Sequence, residues 1–167
     1  MNVFHTNHLI VSRFNNTHEV DFFALNSHPE VMRYIRPVKT KEECWSFLME
    51  NINLYKNGSV IGRYHVAAKS NLAFAGTFSV LMMPDRDGFH IGYALLPWAQ
   101  GKGWAKELVI NGLHWFFEHT DQQQIFAITE PKNIASAFVL EKTGFAKLES
   151  MEQNGKQLDV YVIHRNA

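Results

Sequence analysis

Residues 97–108 read PWAQGKGWAKEL, and the apolar run FHIGYALL at 89–96 leads into them. A strand-like run, two glycines one residue apart and then helical spacing offer backbone amides to an anion. A helix starting at Gly103 presents unpaired N–H groups and partial positive charge to whatever lies ahead of it. Gly101 and Gly103 let the chain turn tightly and approach a ligand closely. Three readings of such a loop compete with that of a plain turn. A P-loop needs Lys-Ser/Thr after its second glycine, and here Trp104-Ala105 follows. A dinucleotide fingerprint needs a third Gly or Ala where Lys106 stands, and a parallel βαβ unit around it. The third reading depends on the rest of the chain.

Working outward, the helix after the loop is the clearest element. Ala105, Leu108, Val109, Gly112, Leu113, Phe116 and Phe117 recur at i, i+3, i+4, i+7, i+8, i+11 and i+12, one apolar face. In the run before the loop, Phe89, Ile91, Tyr93 and Leu95 share one face while His90, Gly92 and Ala94 share the other. The second face is stripped of bulk, so a ligand or another backbone is expected to lie close against it. Residues 60–68 and 73–83 also read as strands, and PDRDG at 84–88 is strong turn chemistry. Towards the amino terminus, 8–14 reads as a strand. A helix is expected from Asn16, capped there with Glu19 three residues on, continuing loosely towards Ile35 until Pro37 breaks it. A second helix starts at Thr40 with Glu43 completing its capping box, and Asn57-Gly58 ends it. Beyond the glycine loop, a strand at 125–129, a helix at 133–142 closed by Gly144, and strands at 145–149 and 158–164 complete the pattern. The fold class is α/β of the α+β type: one mixed, mainly antiparallel sheet flanked by about four helices, in a single domain over 1–167.

Composition narrows the function. Lys+Arg and Asp+Glu balance at 16 each, so neither nucleic acid nor an anionic membrane is indicated as a partner. Zero net charge gives weak colloidal repulsion and leaves homodimerisation open. The lone Cys44 precludes an intrachain disulfide and suits a reducing compartment; on the apolar face of its helix it reads as a buried thiol. The amino terminus lacks the pattern of a signal peptide, and no run approaches the length of a membrane span, so a cytoplasmic location is expected.

Gln100-Gly101-Lys102-Gly103-Trp104-Ala105 resembles the Gln/Arg-x-x-Gly-x-Gly/Ala pyrophosphate loop of the GNAT superfamily of acyl-CoA-dependent N-acetyltransferases. The segment from Asn133 through Ser136, Leu140 and Lys142 to Gly144-Phe145 is similar to that family's Asn-x-x-Ser/Ala…Lys-x-Gly-Phe. HIGYALLP, GWAKEL and HLIVSRF look like the branch that holds the ribosomal-protein N-terminal acetyltransferases. The resemblance runs in order along essentially the whole chain.

It implies acetyl-CoA as cosubstrate, no metal, and direct attack by a primary amine, either a protein N-terminus or a small molecule. Tyr93, Ala94, Leu95 and Leu96 would meet the pantetheine. The amides of Gly101, Lys102, Gly103, Trp104 and Ala105 would take the pyrophosphate, with Gln100 shaping the turn. Asn133 would tether the cosubstrate or simply cap its helix. Leu140 stands where many relatives carry a proton-donating Tyr, so the resemblance moves the acid to Ser136, as in the ribosomal-protein branch. Two residues compete as base. His90 replaces a commoner Glu and, as an ordinary imidazole, would titrate near pH 6.5; Glu152 is its rival from the loop at 151–157. Glu130 is assigned to the turn leading to Asn133, and Glu107 to the helix start. From a different class, a catalytically weak CoA-binding sensor or interaction module on the same fold would carry the same loop.

Overall fold

The computed structural model describes residues 1–166. In chain order it has strands β1 (Asn2–His5) and β2 (Leu9–Arg13), then helices α1 (Glu19–Asn26), α2 (Pro29–Met32) and α3 (Lys41–Leu54). Strands β3 (Gly62–Ala68), β4 (Phe74–Met82) and β5 (Phe89–Leu95) follow. The remainder is α4 (Trp104–Glu118), β6 (Gln124–Thr129), α5 (Ile134–Lys142), β7 (Ala146–Lys147), β8 (Met151–Gln153) and β9 (Lys156–His164). The sheet runs β1-β2-β3-β4-β5-β6-β9-β7, with β8 pairing to β9. It is the mixed, mainly antiparallel sheet that the sequence implies.

The two faces of this sheet differ in chemistry, because strand side chains alternate. On one face Tyr64, Val66, Phe78, Val80, Ile91 and Leu95 pack against Leu108, Val109, Leu113 and Phe116 of α4 in the main core. Each such side chain contributes roughly 1.5–3 kcal/mol on burial. Gly112 lets α4 come this close: a Cβ there would sit 2.4 Å from the Phe78 ring. On the other face the cross-strand rows are Arg63–Ser79–Gly92 and His65–Thr77–Ala94, small or polar at every position. The α1–α3 pair covers part of it through a separate cluster of Phe14, Phe22, Cys44 and Leu48, so the Cys44 thiol is buried as expected.

Several boundaries depart from the sequence reading. The first helix is capped by Asn15, not Asn16, and the capping-box partner is the His18 side chain in place of a carboxylate. Glu19 is therefore the first α-helical residue, and the helix stops at Asn26; Pro29 opens the separate α2. Strand β1, too short and polar to read as one, adds an edge through Phe4, whose ring meets Phe78 and Trp115. The run at 145–149 pairs only over Ala146 and Lys147. The loop expected at 151–157 is a hairpin, Met151↔Leu158 to Gln153↔Lys156, turning on Asn154 and Gly155, both at positive φ. The Thr40 capping box stands as expected: Glu43 N donates to Thr40 Oγ1, and Thr40 N to Glu43 Oε2.

Candidate active site

Every neighbouring strand pair is antiparallel except β5–β6, which is parallel and joined only at His90↔Phe126 and Ile91↔Ala127. Past those residues the two strands part. The β6-side edge of β5 from Gly92 to Leu95 is left without a strand partner, so its backbone groups there, apart from the Leu95 carbonyl, are free for a ligand. This gap leads directly to the glycine loop. Gly101 and Gly103 have φ of 73° and 78°, the left-handed region, and a Cβ on either would meet nothing within 4 Å. The space ahead of α4 is therefore open, and the loop amides face it, an arrangement that fits an anionic group. Gln100 donates its side-chain Nε2–H to the Leu95 carbonyl (2.9 Å), tying the loop back to the strand end. Lys102 is exposed, its Nζ 5.8 Å from the Trp104 ring. Trp104 also lies against Trp98 and His8.

Behind the loop, Glu107 clamps α4 to the β1–β2 turn. Thr6 Oγ1 donates to Glu107 Oε1 at 2.7 Å, the His8 N–H donates to the same oxygen at 3.1 Å, and His8 Nδ1 lies 2.7 Å from Oε2. Burial would lift this carboxyl, but the hydrogen bonds from Thr6 and His8 outweigh it and hold Glu107 below the usual range. Its role is thus wider than complementing the helix dipole.

Across the gap, Asn133 caps α5 by accepting the Ser136 N–H (3.2 Å). That engages one lone pair of its carbonyl oxygen and leaves its NH₂ group for other partners. The Tyr93 phenol reaches from β5 to the neighbourhood of Ser136. Burial raises the Tyr93 pKa and the Ser136 contact partly offsets that. Leu140, one turn further on, is buried in the core.

On the small-residue face of β5 lies a cleft of about 400 Å³, walled by α1–α2, β3–β6 and the β8–β9 hairpin. His90, Gly92 and Ala94 line it, and the small Gly92 and Ala94 leave it room. Burial first, then the nearby Arg63 guanidinium, pushes the His90 pKa down to about 4. The expectation of an imidazole titrating near neutrality is corrected: His90 stands neutral across the physiological range. Glu152 is not brought to the cleft. It is exposed, whereas its neighbour Gln153 lines the wall, since the two point to opposite faces of β8. Three charged residues that sequence reading did not select do line it: Arg36, Arg63 and Glu130. Among the described residues no cluster of three or more His, Cys, Asp or Glu gathers as a metal site, and no helix is long and apolar enough to cross a membrane.

A parallel pair that parts beside a glycine loop at a helix start is the arrangement that the resemblance to acyl-CoA-dependent acetyltransferases implies. The family model for the acetyltransferase (GNAT) domain matches residues 8–146, and the chain belongs to that family. It is similar to the uncharacterized N-acetyltransferase YoaA of Bacillus subtilis (strain 168), at 27% identity over 96% of this chain and 94% of that one. Among solved structures, the ribosomal-protein-S5-alanine acetyltransferase of Vibrio fischeri superposes with a TM-score of 0.79 at 22% identity, covering 96% of this chain and 95% of that one. RimL, a ribosomal L7/L12 α-N-protein acetyltransferase in complex with coenzyme A, gives 0.82 at 19%, covering 98% of each. Both carry the same fold, from the branch that the sequence resembles.

Proposed function

We propose that this chain transfers the acetyl group of acetyl-CoA directly to a primary amine. The observation that carries the reading is the gap between β5 and β6, with an unpaired strand edge on one side and the Gly101–Gly103 loop at its end. In this reading the edge from Tyr93 to Leu96 and the side-chain NH₂ of Asn133 hold the pantetheine, and the amides of residues 101–105 hold the pyrophosphate. Acetyl-CoA supplies an activated thioester.

The chain's own residues then handle two protons. At the sulfur, Ser136 Oγ–H is the donor, with the Tyr93 phenol close beside it. The amino end of α5 adds a favourable field for negative charge there. At the amine, neutral His90 accepts a hydrogen bond and passes the proton towards solvent; an imidazole held at about pKa 4 does not retain it. Exposed Glu152 has no part in this reading.

Free-thiol release from acetyl-CoA with a panel of amines is the test, alongside melting temperature with CoA, ATP and NAD. Acetyl transfer together with stabilisation by CoA alone is the expected result. A protein stabilised by CoA that acetylates no amine would be the binding module instead.

A further inference from the structure

The acceptor cleft holds two guanidinium groups without a counter-charge. Arg36 comes from the segment after α2 and Arg63 from β3, and both line the cleft half-buried. Among the described residues no carboxylate lies within 4 Å of either. Arg36 has only neutral partners, donating from Nη1 to Asn26 Oδ1 (2.7 Å) and towards Met32 Sδ (3.3 Å). Both cations, together with Lys39, gather around one ring: Arg63, Lys39 and Arg36 lie 4.4, 4.8 and 5.1 Å from the Phe47 centroid.

Contacts of that kind are individually weak. Removing a charge from water costs more than they return, so the ring does not cover the demand. The titration behaviour agrees. Burial, then Arg36 beside it, pushes Arg63 down to about 10, and burial lowers Arg36 as well. Glu50 is the only carboxylate whose field supports Arg63, from beyond ion-pair distance.

Arg63 is also fixed in place. Its backbone N–H donates to Asn51 Oδ1 (2.8 Å), and its carbonyl accepts from Asn51 Nδ2 (2.9 Å) and from the Tyr55 hydroxyl. Asn51 and Tyr55 are buried, so a side chain of α3 and the residue that ends it hold this stretch of β3. A guanidinium on so rigid a base is preorganised for a planar anion.

The opposite wall carries the other sign. Glu130, at the end of β6, lines the same cleft. Its Oε1 lies 3.6 Å from Lys156 Nζ, beyond hydrogen-bond length. Its Oε2 is buried with no partner. A carboxylate with one buried oxygen left unpaired still lacks an N–H donor.

We propose that the acceptor is zwitterionic, an amino acid or short peptide whose carboxylate is held by Arg36 and Arg63 and whose ammonium is received at Glu130. This rests on the acetyl-transfer reading and narrows it: polycationic amines are disfavoured because Arg36, Arg63 and Lys39 repel them.

The test compares glycine, glycylglycine and alanylglutamate with their amidated forms, and with spermidine, by thiol release from acetyl-CoA. The wild-type protein should favour the free acids in kcat/KM by roughly tenfold or more. Arg63→Gln should raise KM for the acids by a similar factor and affect the amides much less, so that the preference is lost, and Arg63→Lys should retain much of it. Arg36→Gln is the second variant, in case Arg63→Gln melts early. Glu130→Gln should weaken acids and amides alike. If amines are acetylated with no preference for the acids, or spermidine is taken best, the proposal is overturned while acetyl transfer stands. If nothing is acetylated, calorimetry of the CoA-loaded protein with glycylglycine and its amide decides. Acid-selective binding that Arg63→Gln abolishes upholds the basic wall and sinks acetyl transfer; its absence overturns the proposal.

Discussion

The two sides of the β5–β6 gap are built by different means. On the side proposed for the cosubstrate the available groups are mainly backbone: a strand edge without a partner, two left-handed glycines and the first turn of α4. On the acceptor side they are side chains, with Arg36, Arg63, His90 and Glu130 drawn from four separate segments. Backbone geometry needs particular residues at fixed local spacing, whereas a side-chain site needs only that the fold bring its members together. The first kind of site is common to a family; the second can change acceptor without disturbing the frame.

The largest effect should come from breaking the backbone side. Gly103→Val puts a β-branched residue at φ 78°, where L-residues lose about 1–2 kcal/mol, and places its branches in the open path ahead of α4. CoA affinity should fall by roughly 1000-fold, about 4 kcal/mol, with the sheet intact by circular dichroism. Titration calorimetry showing affinity within twofold of the wild type would remove the loop from the site.

Next comes the point where the two sides meet. Ser136→Ala should lower the maximal rate by roughly 10- to 1000-fold, the range from one lost hydrogen bond to full acid catalysis. CoA binding should change little. Tyr93→Phe keeps the ring and loses only the hydroxyl behind Ser136, so its loss should be smaller, roughly three- to tenfold. Rates measured where chemistry limits turnover decide this; an unchanged maximal rate in Ser136→Ala would leave Ser136 as a helix residue only.

How much was legible follows the same division. The glycine loop, the α4 face and the small face of β5 were readable because each is a periodic or local pattern. Strand β1 was missed because four residues, two of them polar, carry no usable period, and it forms only because β2 and α4 are there to receive Phe4. Strand β8 and its turn into β9 read as a loop because β8 is three residues long. Arg36 and Arg63 carry no motif in the sequence, and Glu130 reads there as part of the turn leading to Asn133. Only burial and missing partners set them apart, and those are properties of the assembled fold.

The frame shared by both sides offers a smaller effect. Gly112→Ala drives a methyl to within 2.4 Å of the fully buried Phe78 ring, which has no free space to retreat into. The helix or the ring must shift, at a cost of about 1–3 kcal/mol in stability, while the chemistry of the cleft stays the same. Denaturant unfolding measures it. A stability equal to the wild type would mean that α4 can slide over the sheet, and then the loop and Ser136 are not rigidly coupled.

The smallest effect at neutral pH belongs to His90, and it separates a proton-relaying imidazole from a titrating base. Its folded pKa is depressed to about 4 from an unfolded value near 6.5, so the folded state favours the neutral ring. Above pH 6.5 both states are neutral and the group adds no pH dependence to stability. As pH falls from 6.5 to about 4, the unfolded chain takes up the proton first, and stability is lost at up to about 1.4 kcal/mol per pH unit. Below about 4 the loss from this group is complete. His90→Gln should abolish that slope, so wild type and variant diverge only in acid. The rate should behave in parallel: between pH 6 and 8 the wild-type profile shows no limb from His90, and the variant keeps the same shape at a lower level. A wild-type rate limb near pH 6.5 that vanishes in His90→Gln would mean that bound acceptor restores an ordinary imidazole, by placing a negative charge between His90 and Arg63. That outcome would tie the two sides of the gap together electrostatically, and the same titration repeated in Arg63→Gln would show whether the guanidinium holds His90 neutral.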